Sequence, residues 1–133
     1  MQVAIKPAKP LAMGTLGDTP IFGLPGNPVS SMVSFELFAR PGLRAMLGVP
    51  LDDVHRPRLA AVAGEPLRRG NDGKTHFARV GVSWTDGVAS VHSAGGQGSH
   101  QLSAMAAAQG LAVLPDGNGA EEGDPVELLL FEL

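Results

Sequence analysis

The chain has 133 residues, of which 44% are hydrophobic and 17% are charged, with a net charge of −3 and no cysteine. This composition is typical of a soluble globular protein, gives no basic field for nucleic acid or membranes, and excludes disulfides and thiolate metal sites. The 18 glycines and 11 prolines favour short strands and many turns. We find neither a transmembrane run nor a signal peptide, so the cytoplasm is the expected compartment.

The chain opens with a short β-type run, Val3–Ile5, followed by Lys6-Pro7-Ala8-Lys9-Pro10. The two prolines hold the backbone extended and keep the residues before them out of the helical region. Two lysines are therefore presented on a stiff, non-helical segment. They are either ordinary surface lysines or one side of an anion clamp. The second alternative requires this loop to fold next to the turn that follows the hairpin Leu11–Leu24.

A strand–turn–helix junction is predicted at Gly23-Leu24-Pro25-Gly26-Asn27-Pro28-Val29-Ser30. Asn27 suits the N-cap, and Pro28 suits the first helical position, where its missing N–H costs nothing. Free amides and the positive end of the helix dipole meet the Ser30 hydroxyl at this point, which is the chemistry of an anion site. A well-capped helix without a ligand is the alternative.

The clearest helix is predicted over Asn27–Gly48, because its apolar residues recur at helical spacing along one stripe. Pro41 removes one helical hydrogen bond, so we expect a kink or a break near Phe38. Gly48 fits a C-cap and is followed closely by Pro50.

The connector Val49–Pro57 is polar and carries two prolines, which predicts a domain boundary here, with residues 1–48 and 49–133 as the two parts. Asp52, Asp53 and His55 lie in this connector. We interpret them as solvated side chains and not as metal ligands.

Short strands separated by turns follow the connector, which predicts a small barrel or sandwich. A basic turn is expected over Leu67–Gly73, a hairpin turn at Asp86-Gly87 and one or two helical turns over Gln101–Gln109. The predicted strands are Leu59–Ala63, Thr75–Trp84, Val88–His92, Leu111–Leu114 and Pro125–Leu133.

Two further features suit an oxyanion. Arg79 lies in the Thr75–Trp84 strand on the face of Phe77, and it is either a solvent-facing arginine or a bidentate ligand for phosphate or another oxyanion. The glycine-rich loop Gly95–His100 allows close backbone approach, and Ser99 opens the predicted short helix. His100 suits a helix cap better than a general base. The loop matches neither a dinucleotide fingerprint nor a P-loop.

These segments, in this order, resemble the C-terminal third of the molybdopterin molybdenumtransferases, the MoeA group related to the gephyrin E domain. The resemblance rests on four stretches and covers essentially the whole chain, with Ala8 standing where the family more often has glycine. The four stretches are Ala4–Pro10, Gly23–Ser30, Phe77-Ala78-Arg79 and Gly96-Gln97-Gly98-Ser99-His100.

The resemblance implies an α+β chain: the last piece of an α/β molybdopterin-binding domain (a hairpin and a long helix), then a small all-β, barrel-like domain. It implies a homodimer that inserts molybdate into adenylylated molybdopterin, with magnesium, and releases AMP. No catalytic residue is assigned. The residues that it places on the molybdate and pterin-phosphate side of the cleft are Lys6, Lys9, Pro25, Pro28, Ser30, Arg79 and Ser99.

The family's chains are about three times longer, and their acidic magnesium ligands are expected upstream of Met1. We therefore expect this chain alone to show no turnover. Two other functions remain open: a non-catalytic partner-binding module like the gephyrin relatives, and an unrelated anion-binding domain. A complete set of oxyanion-binding residues favours the transferase. The sequence does not distinguish molybdate from tungstate.

Overall fold

The computed structural model describes residues 5–6, 12–24, 26, 28–94 and 108–131. Strand β1 (Ile5–Lys6) is followed by a hairpin of β2 (Ala12–Leu16) and β3 (Thr19–Gly23). Ala12 pairs with Gly23 and Leu16 with Thr19, so two residues make the turn, and Gly17 supplies the positive φ that such a turn needs. The predicted hairpin is confirmed.

One helical stretch follows the hairpin and runs through three geometries. Helix α1 (Pro28–Ser34) continues into a π-helical turn (Phe35–Ala39) and then into helix α2 (Arg40–Met46). The helix begins at Pro28, as predicted. Pro41 does not split it: the amide of Arg40 bonds to the carbonyl of Phe35, five residues back, and the wider turn absorbs the proline without a break.

A closed five-stranded barrel makes up most of the remaining chain. Around the ring, β6 pairs with β7, β7 with β4, β4 with β10, β10 with β8, and β8 with β6 again. A 3-10 turn (Leu51–Asp53) precedes the barrel, and a two-stranded ribbon of β5 and β9 lies outside the ring. The strands are β4 (Arg58–Ala63), β5 (Leu67–Arg68), β6 (Thr75–Thr85), β7 (Val88–Ser93), β8 (Gly110–Leu114), β9 (Gly119–Ala120) and β10 (Pro125–Leu130).

The two faces of the barrel wall are both apolar, but they pack against different partners. The inner face fills the barrel with side chains such as Val80, Val91 and Leu128, all fully buried. On the outer face, Phe77, Leu111 and Leu129 form a second cluster with Val33 of α1. The helix therefore covers one side of the barrel, and β6 is buried on both faces along its middle.

An arginine fixes the helical stretch to the barrel. The guanidinium of Arg56 donates to both carboxylate oxygens of Glu36 in the π-helical turn, at 2.9 and 3.2 Å, and to the carbonyl of Phe131 just after β10. It also lies 5.6 Å from the centre of the Phe131 ring. These contacts set the position of the helix over the outer face of the barrel.

Three sequence predictions need correction. Lys6 belongs to a strand and not to a loop, because β1 pairs in parallel with the start of β6. Leu67–Arg68, predicted as part of a turn, forms strand β5. The last strand ends at Leu130, before the predicted Leu133. The predicted division into 1–48 and 49–133 stays a prediction.

Candidate functional site

The outer face of β6 holds a buried cation. Arg79 is only 2% exposed, and its cross-strand neighbour on β8 is Leu111, which packs against α1. The solvent-facing alternative for Arg79 is therefore wrong. Strict alternation along β6 puts Arg79 on the face of Phe77 and not on that of Val80, which points into the barrel.

The guanidinium of Arg79 has no hydrogen-bond partner in the part of the chain that the structure describes. All three of its nitrogen atoms are buried there without an acceptor. Burial lowers the pKa of Arg79 from its ordinary value, because desolvation disfavours the charged form. An unpaired buried charge costs several kcal/mol, so the fold tolerates a strongly unfavourable group here. Five N–H donors in a planar fork are ready for an oxyanion that the described residues do not supply.

Helix α1, which packs through Val33 on the same outer face of the barrel, carries serine hydroxyl groups. Ser34 follows Val33 in α1, is fully buried, and its Oγ has no partner. Ser30 lies one turn earlier in the helix and is partly buried. The two serines therefore share one face of the helix. The structure thus brings Arg79 to the side of the barrel that α1 covers, where short hydroxyl side chains are also found.

Lys6 lies on the other side of the sheet. It pairs with His76 in the parallel β1–β6 register, and paired residues of neighbouring strands point to the same face. By alternation that face is opposite to Arg79. Lys6 instead lines a cavity of about 210 Å³ together with Arg68 and His76. The structure therefore brings Lys6 to these two residues and not to Arg79.

Three predicted site residues, Lys9, Pro25 and Ser99, lie outside the described residues, as do the Gly95–His100 loop and the short helix predicted over 101–109 (apart from residues 108–109). Pro28 is the first residue of α1. The roles given to all of them stay predictions.

A second buried arginine, Arg69, was missed at the sequence level. Its side chain is 1% exposed, and in contrast to Arg79 every part of its guanidinium is used. It donates to the carbonyls of Gly70, Lys74, Leu114 and Pro115 at 2.7–3.0 Å. It also donates to Asp72 at 2.8 Å and to Asp116 at 3.2 Å. The sequence Arg68-Arg69 does not show which arginine is buried, because the partners of Arg69 at Leu114, Pro115 and Asp116 are distant in the chain.

The carboxylate of Asp72 joins Arg69 to the neighbouring cavity. It accepts from Nε2 of His76 at 2.9 Å and from the amide of Lys74 at 3.1 Å. The hydrogen bond from His76 is the main reason why the pKa of Asp72 lies below its ordinary value, with smaller contributions from the Lys74 amide and the charge of Arg69.

Magnesium does not fit the described residues. No group of three or more His, Asp or Glu side chains there lies close enough to hold a metal ion. The predicted solvated state of Asp52, Asp53 and His55 matches their exposure. They share a groove of about 560 Å³ with Arg40, Arg44 and Arg56, where both signs of charge face each other.

The comparisons with known proteins identify the family. The model of the MoeA C-terminal region (domain IV) matches residues 60–131, which is the barrel from β4 onward. The chain therefore belongs to the MoeA family, and curated relatives that it matches are named molybdopterin molybdenumtransferase. The resemblance seen in the sequence and the barrel-like prediction are both confirmed, the barrel being closed.

The relatives are much longer than this chain. Molybdopterin molybdenumtransferase 2 of Mycobacterium tuberculosis (strain ATCC 25618 / H37Rv) is 41% identical over 87% of the chain and 27% of its own length. Molybdopterin molybdenumtransferase of Haemophilus influenzae is 37% identical over 89% of the chain and 29% of its own. The molybdenum cofactor synthesis protein cinnamon of Drosophila melanogaster is 35% identical over 98% and 22%. The chain thus spans less than a third of the length of these relatives.

Solved structures give the same match. The molybdopterin biosynthesis moeA protein from Pyrococcus horikoshii OT3 superposes with a TM-score of 0.74 at 25% identity, over 98% of this chain and 31% of that one. The superposition includes the hairpin and helix as well as the barrel. Within the described residues, we find no helix with the length and apolar character to span a bilayer.

Proposed function

We propose that this chain is the C-terminal part of a molybdopterin molybdenumtransferase, which inserts molybdate into adenylylated molybdopterin and releases AMP in molybdenum cofactor biosynthesis. In this proposal, residues 1–48 are the end of the α/β molybdopterin-binding domain and residues 49–133 are the barrel domain. Residues 60–131 match the MoeA domain IV family, and relatives across bacteria and fly carry transferase or cofactor-synthesis names, which supports the proposal.

The observation that carries the proposal is the unpaired guanidinium of Arg79. A buried arginine without acceptors is unfavourable for folding, so its presence is best explained by a ligand that supplies the missing acceptors. Molybdate is a tetrahedral dianion whose oxygens accept hydrogen bonds, and a guanidinium binds two such oxygens at once. Ser30 on the covering helix would add a hydroxyl donor.

The chemistry assigned to the chain is positioning and charge stabilisation. Arg79 holds the oxyanion on the barrel, and the hydroxyl of Ser30 fixes the orientation of the oxyanion relative to the helix. Such donors stabilise negative charge that develops on transferred or leaving oxygens without reorganising during the reaction. Lys9, Pro25, Pro28 and Ser99 complete the proposed set around Arg79, and Lys6, which lies on the opposite face of β6, contributes to substrate binding from that side. Magnesium ligands from upstream sequence, a homodimer and a cytoplasmic location remain part of the proposal.

Calorimetric titration of the 133-residue chain with molybdate tests the role of Arg79. We expect saturable binding that Arg79→Met abolishes. Arg58→Met is the matched control, because Arg58 is a half-exposed arginine whose one side-chain ion pair among the described residues is with Glu127, and its loss changes the net charge by the same amount. Equal weakening by both variants would show that molybdate is attracted only by overall charge. A partner-binding module without this chemistry would bind no molybdate at all.

A further inference from the structure

The cavity beside Lys6, called the basic pocket below, is lined by several positively charged side chains. Its lining residues are Lys6, Arg68, Arg69, Gly70, His76, Phe77, Ala78 and Leu114. Three of them are permanent cations, one is a histidine, and none is a carboxylate. The larger groove near α2 differs, because Asp52 and Asp53 line it together with its arginines. The basic pocket is therefore a described cavity whose lining side chains carry positive charge without a carboxylate among them.

Two of the cations in the basic pocket are free. Among the described residues, the side chains of Lys6 and Arg68 make no hydrogen bond and no ion pair, and both residues are exposed to solvent. Arg69 differs, since its guanidinium is fully used by main-chain carbonyls and by Asp72 and Asp116. The donors available to a ligand are therefore the Lys6 ammonium and the Arg68 guanidinium, with His76 beside them.

The backbone that carries these donors is fixed. Arg68 pairs with Gly119 in the β5–β9 ribbon, and Lys6 pairs with His76 in the β1–β6 register. Arg69 ties the segment after β5 to the end of β8 through its bonds to Leu114 and Pro115. The imidazole of His76 is held by Asp72 through Nε2, which leaves Nδ1 for another partner. Binding at this place would cost little ordering of the main chain.

We propose that the basic pocket binds a phosphate group, with Lys6 and Arg68 as its two charged donors and His76 as a third contact. Arg68 and His76 would then be binding residues that the family resemblance did not indicate. The site is separate from the Arg79 face, because His76 and Arg79 point to opposite faces of β6. This inference rests on the proposed function for its natural ligand, since the adenylylated substrate carries phosphate as well as receiving molybdate.

Titrations with inorganic phosphate and with AMP, at constant ionic strength, test the pocket. We expect Arg68→Gln to weaken phosphate binding about tenfold or more, since a hydrogen bond to a charged group is lost. Lys6→Gln should have a similar effect and His76→Gln a smaller one. Arg58→Gln, the matched control outside the pocket, should change affinity less than about twofold. If AMP shows the same dependence on Arg68, the pocket accepts the phosphate of a nucleotide; if only inorganic phosphate does, it accepts the free ion.

The two proposals fail in different ways. If Arg68→Gln binds phosphate as tightly as the parent chain, or if Arg58→Gln weakens binding equally, the basic pocket is not a phosphate site. Absence of phosphate binding to the parent chain at about 10 mM would have the same meaning, since a site with a Kd of about 1 mM would be mostly occupied at that concentration. None of these results bears on the proposal that Arg79 binds molybdate. In turn, Arg79→Met should leave phosphate binding unchanged while molybdate binding is lost.

Discussion

Replacing Arg79 by methionine should make the ligand-free chain more stable. The change removes a buried guanidinium that has no acceptor and leaves an apolar side chain of similar length beside Leu111. Replacing buried charged groups by well-packed apolar ones is often neutral or stabilising by about 1–4 kcal/mol. An arginine that lacks even an opposite charge should lie in the upper part of that range.

Arg69→Met is the matched comparison, because Arg69 is the other arginine with a fully buried side chain. Its guanidinium donates to four carbonyls and two carboxylates, so its loss leaves several acceptors without a partner. Breaking a buried charged network of this kind costs about 3–5 kcal/mol. The partial exposure of Asp72 and Asp116 lets water replace some contacts, which favours the lower end.

Urea unfolding followed by circular dichroism measures both effects, with the midpoint and slope compared between variants. The expected signs are opposite: Arg79→Met raises the free energy of unfolding and Arg69→Met lowers it. Added molybdate should stabilise the parent chain and Arg69→Met, but not Arg79→Met. A loss of more than about 2 kcal/mol for Arg79→Met would mean that its guanidinium is a structural element, and the ligand argument would be refuted.

Three other changes follow from the packing. Asp72→Asn should make stability depend less on pH in the acid range. The folded-state pKa of Asp72 lies below its unfolded value of about 3.9, so its stabilising effect is present above that pH and is lost as the pH falls through the folded pKa. Thermal unfolding from pH 6 to 2 measures this, and parallel curves for the variant and the parent chain would contradict it. Gly119→Ala should destabilise the chain by about 1–3 kcal/mol at the β5–β9 ribbon, because Gly119 has φ +93° and an added Cβ would lie 1.9 Å from the carbonyl oxygen of Leu67. The midpoint of urea unfolding measures this loss. An unchanged midpoint would show that the ribbon rearranges without cost. Leu111→Ala should lower the free energy of unfolding by about 2–5 kcal/mol, since Leu111 is fully buried between the barrel and α1. A smaller loss in the same assay would mean that the helix does not pack closely on this face.

Local chemistry predicted most of the elements. The Asp86-Gly87 turn was predicted from its residue types, and both residues have the positive φ that a two-residue hairpin turn requires. Pro28 and the apolar stripe likewise predicted where the helix starts and that it continues for several turns. These features depend on residues close in sequence, so the sequence alone was sufficient.

The site depended on contacts between distant parts of the chain. Arg79 is buried on the outer face of β6, and that face packs through Phe77 against Val33 of α1, which lies about 45 residues earlier. The side taken by Lys6 follows from its parallel register with His76, and a slip of one residue would reverse it. Alternation along β6 was predicted correctly, but no local pattern showed that both of its faces are covered. The wider helical turn before Pro41 was likewise not predictable from the proline, since a kink and a π turn satisfy it equally.

The most direct test of the account is a crystal of the chain soaked with molybdate and measured at the molybdenum absorption edge. We predict an anomalous peak within hydrogen-bonding reach of the Arg79 guanidinium, on the side of the barrel that α1 covers, which disappears in Arg79→Met crystals. An anomalous peak elsewhere, with the Arg79 nitrogens still unpaired, would contradict the assignment of this arginine to the oxyanion.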